Sequence, residues 1–562
     1  MAAESRRHVG IAAMAIGVAA FLYRLLIVRD LTNDHYMHLA WAQQVLFGQV
    51  PGRDFVDPGM PLMYLLSALV QRLLPGPYSE AILTCALMAL AAAATLVVTA
   101  ELTGSLVVAS IATIVEVALE PRLYSYPKIL VPAVALLLIQ RYVRRPSRTR
   151  LAWLAAWTGV AVLLRHDLGI YAAAGVGACV VALHVNDWRQ MFRTLAEYAA
   201  ALIVFMLPYV VYVQWSEGLF EHLHVALEFA KGEAHQRFLS PPGFIFWSNP
   251  AGLAAWNNTD AAVFLFYAAH LLAVASILLL VRRRTSRAEQ NPVAIAGVAM
   301  LLLYLTVVLR HPIDSRIQDV GALLAIMGAW TVAQSFGRTF ITTGAVLAVA
   351  AASLVNVWIL GGLAGRIKDT RIADGPATMA RQVAGVKESG SVWPWERLWP
   401  AGELPAAVRY LNACTTPDDA VLLTWAAPEY YFFAQRKFGA GHALFLPPDA
   451  FTTPHDREKM LAQMRRERIP IVLINETRRE EFATAYPEVD RYIAEQYAPA
   501  GGFDIRDGSH VTVAVGRKFK ANGTYAAEGW PCGFDNRAAS STASIMLDGS
   551  ATPLPAMSNA VP

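Results

Sequence analysis

The chain is short of charge. Of its 562 residues only 16% are Asp, Glu, Lys or Arg, against about 25% in an ordinary soluble protein. Hydrophobic residues make up 56%, and the mean hydropathy is +0.39. Together these exclude a soluble multidomain protein and call for a polytopic helical membrane protein. The net charge of +4 is too small to argue for nucleic acid as a partner; the basic residues gather in short loops, where they report topology. Cysteines number 4. Cys85 and Cys179 lie in apolar runs and read as packing residues. Cys414 and Cys532 lie in the C-terminal part and are available for a disulfide that their number alone does not establish. No Gly-rich phosphate loop is present, which speaks against a nucleoside triphosphate as direct substrate. There is no internal repeat and no His, Cys, Asp or Glu spacing of the metal-site kind.

What is present is a series of apolar runs. Arg6-Arg7 precede a stretch of about twenty apolar residues with no small-x-small cleavage site after it, so it reads as an uncleaved helix rather than a signal peptide. Candidate spans are Val9–Val28, Glu80–Ala100, Ser105–Leu119, Ile129–Val143, Leu151–Leu164, Leu168–Val185, Leu195–Trp215, Ala261–Val281, Val293–Leu309, Val320–Ser335 and Ile341–Gly361. Met60–Leu74 is apolar but short: it can span or lie flat at the interface. The excess of Lys and Arg in cytoplasmic loops arbitrates. With Arg6-Arg7 inside and Met60–Leu74 not crossing, Arg141–Arg150, Arg189–Arg193, Arg282–Arg287 and Arg338 all fall on the cytoplasmic side. If Met60–Leu74 crosses, every one of these loops inverts. The expectation is therefore about eleven spans, the N-terminus inside and the C-terminus outside. Tyr36–Phe47 and Met60–Leu74 then form two surface helices in an external loop over 30–79.

That topology gathers particular residues outside: Asp34, Asp54 and Asp57; Glu120, Arg122 and Lys128; Arg165-His166-Asp167; His311, Asp314 and Arg316; and the histidines of the 216–258 loop. Carboxylates at a bilayer face are costly and mark function. Beyond the membrane domain (1–362), residues 363–402 form an interfacial connector with a Trp-rich patch, Trp393-Pro394-Trp395 and Trp399. Residues 403–520 read as an extracytoplasmic α/β domain. Its helices are expected at Pro405–Ala413, Pro428–Gln435 and His455–Arg468. Its strands are expected at Ala420–Thr424, Ala443–Leu446, Ile469–Ile474 and Val511–Val515. The Ala-, Ser-, Gly- and Pro-rich tail, 521–562, reads as disordered.

One stretch carries a resemblance. Asp34 follows the first span, a surface helix ends in Phe47-Gly48, Asp54 and Asp57 make a short acidic loop, and Pro58-Gly59-Met60-Pro61-Leu62-Met63-Tyr64 opens the second surface helix. This resembles the first external loop of the GT-C fold glycosyltransferases, in the family 39-like group that holds the protein O-mannosyltransferases and the aminoarabinose transferase of lipid A. Leu163-Leu164-Arg165-His166-Asp167-Leu168-Gly169 and the segment from His311 to Arg316 are similar to later polar segments of that family. The second position of the first motif is His35, where many members carry Glu.

The resemblance implies an enzyme that passes a sugar from a polyprenyl-phosphate donor to a hydroxyl of an envelope glycan, lipid or protein, at the outer face of the inner (plasma) membrane. Asp34 matches the catalytic Asp. General-base chemistry needs one carboxylate within reach of the acceptor hydroxyl. Asp54, Asp57 and His35 are candidates for orienting the acceptor or the loop. Lys128, Arg165 and Arg316 are candidates for the donor phosphate, which needs positive charge as it leaves; Arg24, near the outer end of the first span, is a further cation in reach. No cofactor is expected. His35, His38, His166 and His311 with Asp57 are the residues available to a divalent metal. The competing classes are a flippase or transporter of a lipid-linked sugar, a ligase of a whole lipid-linked glycan, and a non-catalytic assembly or sensor protein. Transporters place charge at the bilayer midplane and often show repeats; here charge gathers at one face.

Overall fold

The computed structural model describes residues 3–28, 31, 33–57, 59–122, 124, 126–237, 241–282, 291–309, 312–335, 340–381, 406–443, 445, 454–505, 508–525 and 528–534. Pro58, His311, the Trp393–Trp399 patch and the chain after Phe534 lie outside these residues. Within them the chain is a polytopic helical membrane protein with a C-terminal α/β domain.

Eight helices are long and apolar enough to cross a membrane. They are α1 (Ala3–Ile27), α4 (Tyr78–Thr103), α6 (Tyr126–Arg144), α8 (His166–Leu183), α9 (Trp188–Ser216), α12 (Asn258–Arg282), α13 (Asn291–Val308) and α15 (Phe340–Ile359). Their sequences are apolar on all sides, as a helix between lipid and neighbouring helices requires. The three other expected spans are shorter helices: α5 (Leu106–Ala118), α7 (Arg148–Leu164) and α14 (Gly321–Ser335). Gly104 ends α4 in the left-handed conformation at φ +75, which glycine adopts without steric cost. α10 (Leu219–Arg237), α11 (Ile245–Ser248) and α16 (Leu363–Asp369) lie in segments read from sequence as loop or connector.

Between the first two long helices lie α2 (Asn33–Leu46) and α3 (Pro61–Leu73). α3 buries Met63, Tyr64, Ser67 and Gln71 and leaves Leu65, Leu69 and Leu73 exposed. A buried polar network fixes α2 and α3 to α4. His38 Nδ1 lies 2.9 Å from Glu80 Oε1, Ser67 Oγ donates to Glu80 Oε2 at 2.8 Å, and Gln71 Nε2 donates to the Leu39 carbonyl at 3.2 Å. A buried carboxylate needs such partners; here they also fix the helix that carries Asp34.

The C-terminal domain comprises α17 (Ala406–Cys414), β1 (Ala420–Leu423), α18 (Pro428–Ala434), β2 (Lys437–Phe438), α19 (Pro454–Arg466), β3 (Ile471–Asn475), α20 (Arg479–Ala485), α21 (Pro487–Gln496), β4 (Tyr497–Asp504), β5 (His510–Gly516), β6 (Ala521–Tyr525) and β7 (Trp530–Phe534). Five strands form one sheet in the order β2-β1-β3-β5-β4, the first three parallel and the last two antiparallel to their neighbours. Alternation along the strands sends Val421, Leu423, Ile471 and Leu473 to the face packed on the membrane domain. It sends Leu422, Val472 and Ile474 to the face covered by Met460, Met464 and Val489 of α19 and α21.

Two expectations need correction. The strand after α18 is Lys437–Phe438, because the turn after α18 is tight and the chain re-enters the sheet at once; of the expected strand Ala443–Leu446, Ala443 and Phe445 are not in a strand and Leu444 and Leu446 lie outside the described residues. The expected disordered tail does not begin at 521. β6 and β7 form an antiparallel hairpin, tied by a Cys414–Cys532 disulfide. Composition alone missed these strands because Gly and Pro within them read as loop.

The domain rests directly on the segment between α1 and α4. Gln43 Nε2 donates to the Phe432 carbonyl at 3.0 Å, and Gln44 Nε2 to the Arg436 carbonyl at 3.2 Å. Gln463 Nε2 donates to the Asp54 carbonyl at 2.6 Å, and the Val56 amide to the Gly441 carbonyl at 3.0 Å.

Candidate functional site

Asp34 lies half-buried in the first turn of α2. The residue that links it to the rest of the site is Tyr124, in the loop between α5 and α6. Burial raises the Tyr124 pKa, and the nearby charge of Asp34 raises it further. His35 packs edge-on against the Tyr124 ring at 5.7 Å. Arg122 Nη1 donates to Tyr124 Oη at 2.8 Å, and Lys128 Nζ lies 5.9 Å from the ring centroid.

On the far side of Tyr124 is a narrow cavity. Lys128, Arg165 and Arg316 all line it, with Asp167, Asp319 and Tyr304. The three cations named from sequence therefore converge, although they come from the start of α6, the α7–α8 junction and the turn before α14. Carboxylates hold two of them. Lys128 Nζ is 2.5 Å from Asp319 Oδ2, with both side chains buried. Arg165 grips Asp167 with two bonds, Nε to Oδ1 at 2.7 Å and Nη2 to Oδ2 at 2.5 Å. Asp319 and Tyr304 were not picked out from sequence. Asp319 stands at the end of a polar run that opens an apolar span, a signal that was legible; Tyr304 sits inside α13 and gave none. Asp319 Oδ1 and Tyr304 Oη are buried and have no hydrogen-bond partner among the described residues. Unmet polar atoms beside a cavity are positions for ligand hydroxyls. Leu168, Val307 and Val308 make its apolar wall.

The other acids do not join this cavity. Asp54 shapes a turn: its carboxylate accepts from the Val50 amide at 2.8 Å and from Arg53 at 2.7 and 2.9 Å. The Arg53 hydrogen bonds hold its pKa below the usual range. Asp57 accepts from the Gly59 amide at 2.9 Å and from Tyr209 Oη at 3.4 Å; burial raises its pKa. Around it, the His222 ring stacks edge-on with His166 at 5.7 Å, and His222 Nδ1 pairs with Glu217. Burial opposes the charged form of His222, but Glu217 and Asp57 outweigh it and raise the pKa. This cluster clamps the loop after α2 against α8 and α9, one residue along the chain from Arg165.

No family model matches the chain, and no curated protein matches it.

Arg24 is committed elsewhere. Its guanidinium is held by Glu120, by the Tyr126 hydroxyl and by the Pro121 carbonyl, the last at 3.1 Å. Of the residues available to a metal, His35 packs on Tyr124, His38 is bound to Glu80, and His166 sits against His222. Among the described residues no group of three or more His, Cys, Asp or Glu is arranged to hold an ion. What converges is one half-buried carboxylate, a tyrosine and a cation-lined slot with an apolar wall. Such a set can accept a proton on one side and stabilise an amphiphilic phosphate on the other.

Proposed function

We propose that this chain is an integral-membrane glycosyltransferase. It moves a sugar from a polyprenyl-phosphate donor to an acceptor hydroxyl on the external face, with inversion at the anomeric carbon. The observation that carries the reading is the approach of Asp34, through Tyr124, to the cavity of Lys128, Arg165 and Arg316. Asp34 takes the proton of the acceptor hydroxyl as its oxygen bonds to the anomeric carbon. The bond from that carbon to the phosphate oxygen breaks, and polyprenyl phosphate leaves with one more negative charge than it held as a diester. Arg165 and Lys128, aimed by Asp167 and Asp319, meet that charge together with Arg316; preorganised cations cost little reorganisation at that moment. Leu168, Val307 and Val308 face the prenyl chain. Asp319 Oδ1 and Tyr304 Oη hold sugar hydroxyls. His35 orients Tyr124, and Asp54 and Asp57 shape the external loop.

The contacts between loop and domain support eleven crossings. Residues Gln43 to Val56 touch the C-terminal domain, so both lie on one side of the membrane. The crossings between them must then be even in number. With α4 to α9 and α12 to α15 all crossing, the short α5, α7 and α14 among them, the count between the two is ten and even, and adding α3 to that set would make it odd. The exposed leucines of α3 suit a helix lying in the interface. The Cys414–Cys532 disulfide suits an oxidising, extracytoplasmic compartment, so this side is read as the external one.

Mass spectrometry of envelope glycans from cells with and without the protein tests the reading. Loss of one sugar mass is expected, and it identifies donor and acceptor together. An unchanged glycan set would overturn it.

A further inference from the structure

A second cavity, of about 390 Å³, lies in the seam between the segment after α2 and the C-terminal domain. Gln49 and Arg53 line it from the first side. Lys437 of β2, with Arg466 and Arg468 at and after the end of α19, line it from the other. It shares no lining residue with the slot of Lys128, Arg165 and Arg316.

The carboxylates in this lining are already engaged. Asp54 is gripped by Arg53 and by the Val50 amide. Glu467 accepts from Gln463 Nε2 at 2.7 Å and from the Ala440 amide at 3.2 Å. The Asp418 side chain is 95% exposed, so its 3.4 Å pairing with Lys437 is screened by water. The cations keep donors to spare. Arg53 spends Nε and Nη2 on Asp54, and its Nη1 makes no hydrogen bond among the described residues. Arg466 is exposed; its charge acts on Asp54, yet among the described residues it forms no hydrogen bond and no ion pair. Arg468 is fixed in place by Asp419 and by the Phe534 carbonyl. On the opposite wall the Gln49 amide oxygen is buried and has no partner among the described residues.

The cavity lies close to the membrane boundary. The Arg53 guanidinium stands 5.9 Å from the centroid of the Trp215 ring. Trp215 is exposed in the last turn of the spanning helix α9, and indoles at span ends mark the headgroup level.

Guanidinium groups with open donors suit phosphate oxygens. The unmet amide oxygen of Gln49 needs a donor, which a phosphate diester lacks and a neighbouring hydroxyl supplies. We propose that this seam cavity binds a phosphate ester of a hydroxylated group, either a glycerophosphate headgroup of the bilayer or a soluble glycerol or sugar phosphate. Bound there, the ester bridges the segment after α2 and the C-terminal domain. The proposal stands apart from the transferase reading, and Asp34→Asn should leave this binding unchanged.

The test uses the full-length protein in nanodiscs, with Arg466→Gln and Lys437→Gln. Arg465→Gln is the control, because Arg465 is exposed beside the cavity but does not line it. In nanodiscs of phosphatidylcholine alone, glycerol phosphate is titrated by calorimetry. In nanodiscs that also hold phosphatidylglycerol, native mass spectrometry counts the lipids retained on release. Glycerol phosphate binding with no preference for phosphatidylglycerol assigns the cavity to a soluble ester. Preferential retention of phosphatidylglycerol assigns it to the bilayer. In either case Arg466→Gln should weaken binding about tenfold, as loss of one charge-assisted hydrogen bond does, with its circular dichroism unchanged. Arg465→Gln should bind like wild type. Lys437→Gln decides the matter if Arg466→Gln fails to fold. Binding of neither probe, or equal binding by Arg466→Gln and Arg465→Gln, would overturn the proposal.

Discussion

Lys128 and Asp319 illustrate what residue-level reading reaches and where it stops. The lysine was visible as a charge beside an apolar run. Its partner stands 191 positions away, and no local pattern joins them. Tyr124, one of 20 tyrosines, likewise became meaningful only once Asp34, Arg122 and Lys128 surrounded it. Asp34 itself was legible because a carboxylate directly after a span is rare and costly. The Lys128–Asp319 pair gives a direct prediction. Lys128→Ala leaves a buried carboxylate unpaired and should cost about 3–5 kcal/mol of stability, read as a lowered unfolding temperature in detergent. Lys128→Met with Asp319→Leu should recover most of that stability and remain inactive. If the single variant melts like wild type, the pair is not the buried anchor described here. Arg165 makes a second case. Arg165→Lys keeps the charge but loses the two-pronged grip on Asp167, so donor KM should rise in Arg165→Lys and rise further in Arg165→Ala. Unchanged donor kinetics in both would remove Arg165 from the phosphate site.

At the scale of elements, the long apolar helices and the strands β1, β3 and β5 were legible, the helices as long apolar runs and β1 and β3 as short continuous apolar runs buried on both faces. The hairpin β6–β7 was not, since Gly and Pro within it read as loop; it is held by burial of Trp530 and Phe534 and by a covalent tie. That tie closes a separation of 118 residues, and a cross-link over about 100 residues contributes about 4–5 kcal/mol in chain-entropy terms. Cys532→Ser should therefore lower the melting temperature of the α/β domain while leaving the membrane helices intact by circular dichroism; an unchanged melt would mean that the hairpin holds itself. α18 gives a pH prediction. The Glu429 carboxyl is raised in the fold from its ordinary 4.5 to about 7. Its favourable contribution is therefore complete below about 4.5 and is lost as pH rises through 7. Glu429→Gln should be more stable than wild type at pH 8 and equal to it at pH 4, measured by thermal melts at both pH values. Equal melts at pH 8 would show that the carboxyl is not held neutral by burial.

For the whole molecule, charge bias in the loops and the contact between the first loop and the C-terminal domain are both compatible with the proposed topology. One counts arginines; the other counts crossings. A membrane-impermeant reagent should label a cysteine placed at Arg53 and not one at Arg145; the reverse pattern would invert the membrane domain. The same architecture, with a small cavity lined by Lys128, Arg165 and Arg316, is also compatible with a flippase, and the role proposed for Asp34 separates the two. The deciding measurement is sugar transfer from a polyprenyl-phosphate donor by the purified protein in liposomes, comparing wild type with Asp34→Asn. Asn keeps the size and hydrogen bonding of Asp but cannot take the acceptor proton, and general-base assistance contributes about 10²–10⁴-fold in rate. Wild type should transfer the sugar, and Asp34→Asn should lose kcat by that order with donor binding unchanged. Equal turnover by both proteins, or movement of the donor lipid across the bilayer with no transfer, would contradict the transferase reading.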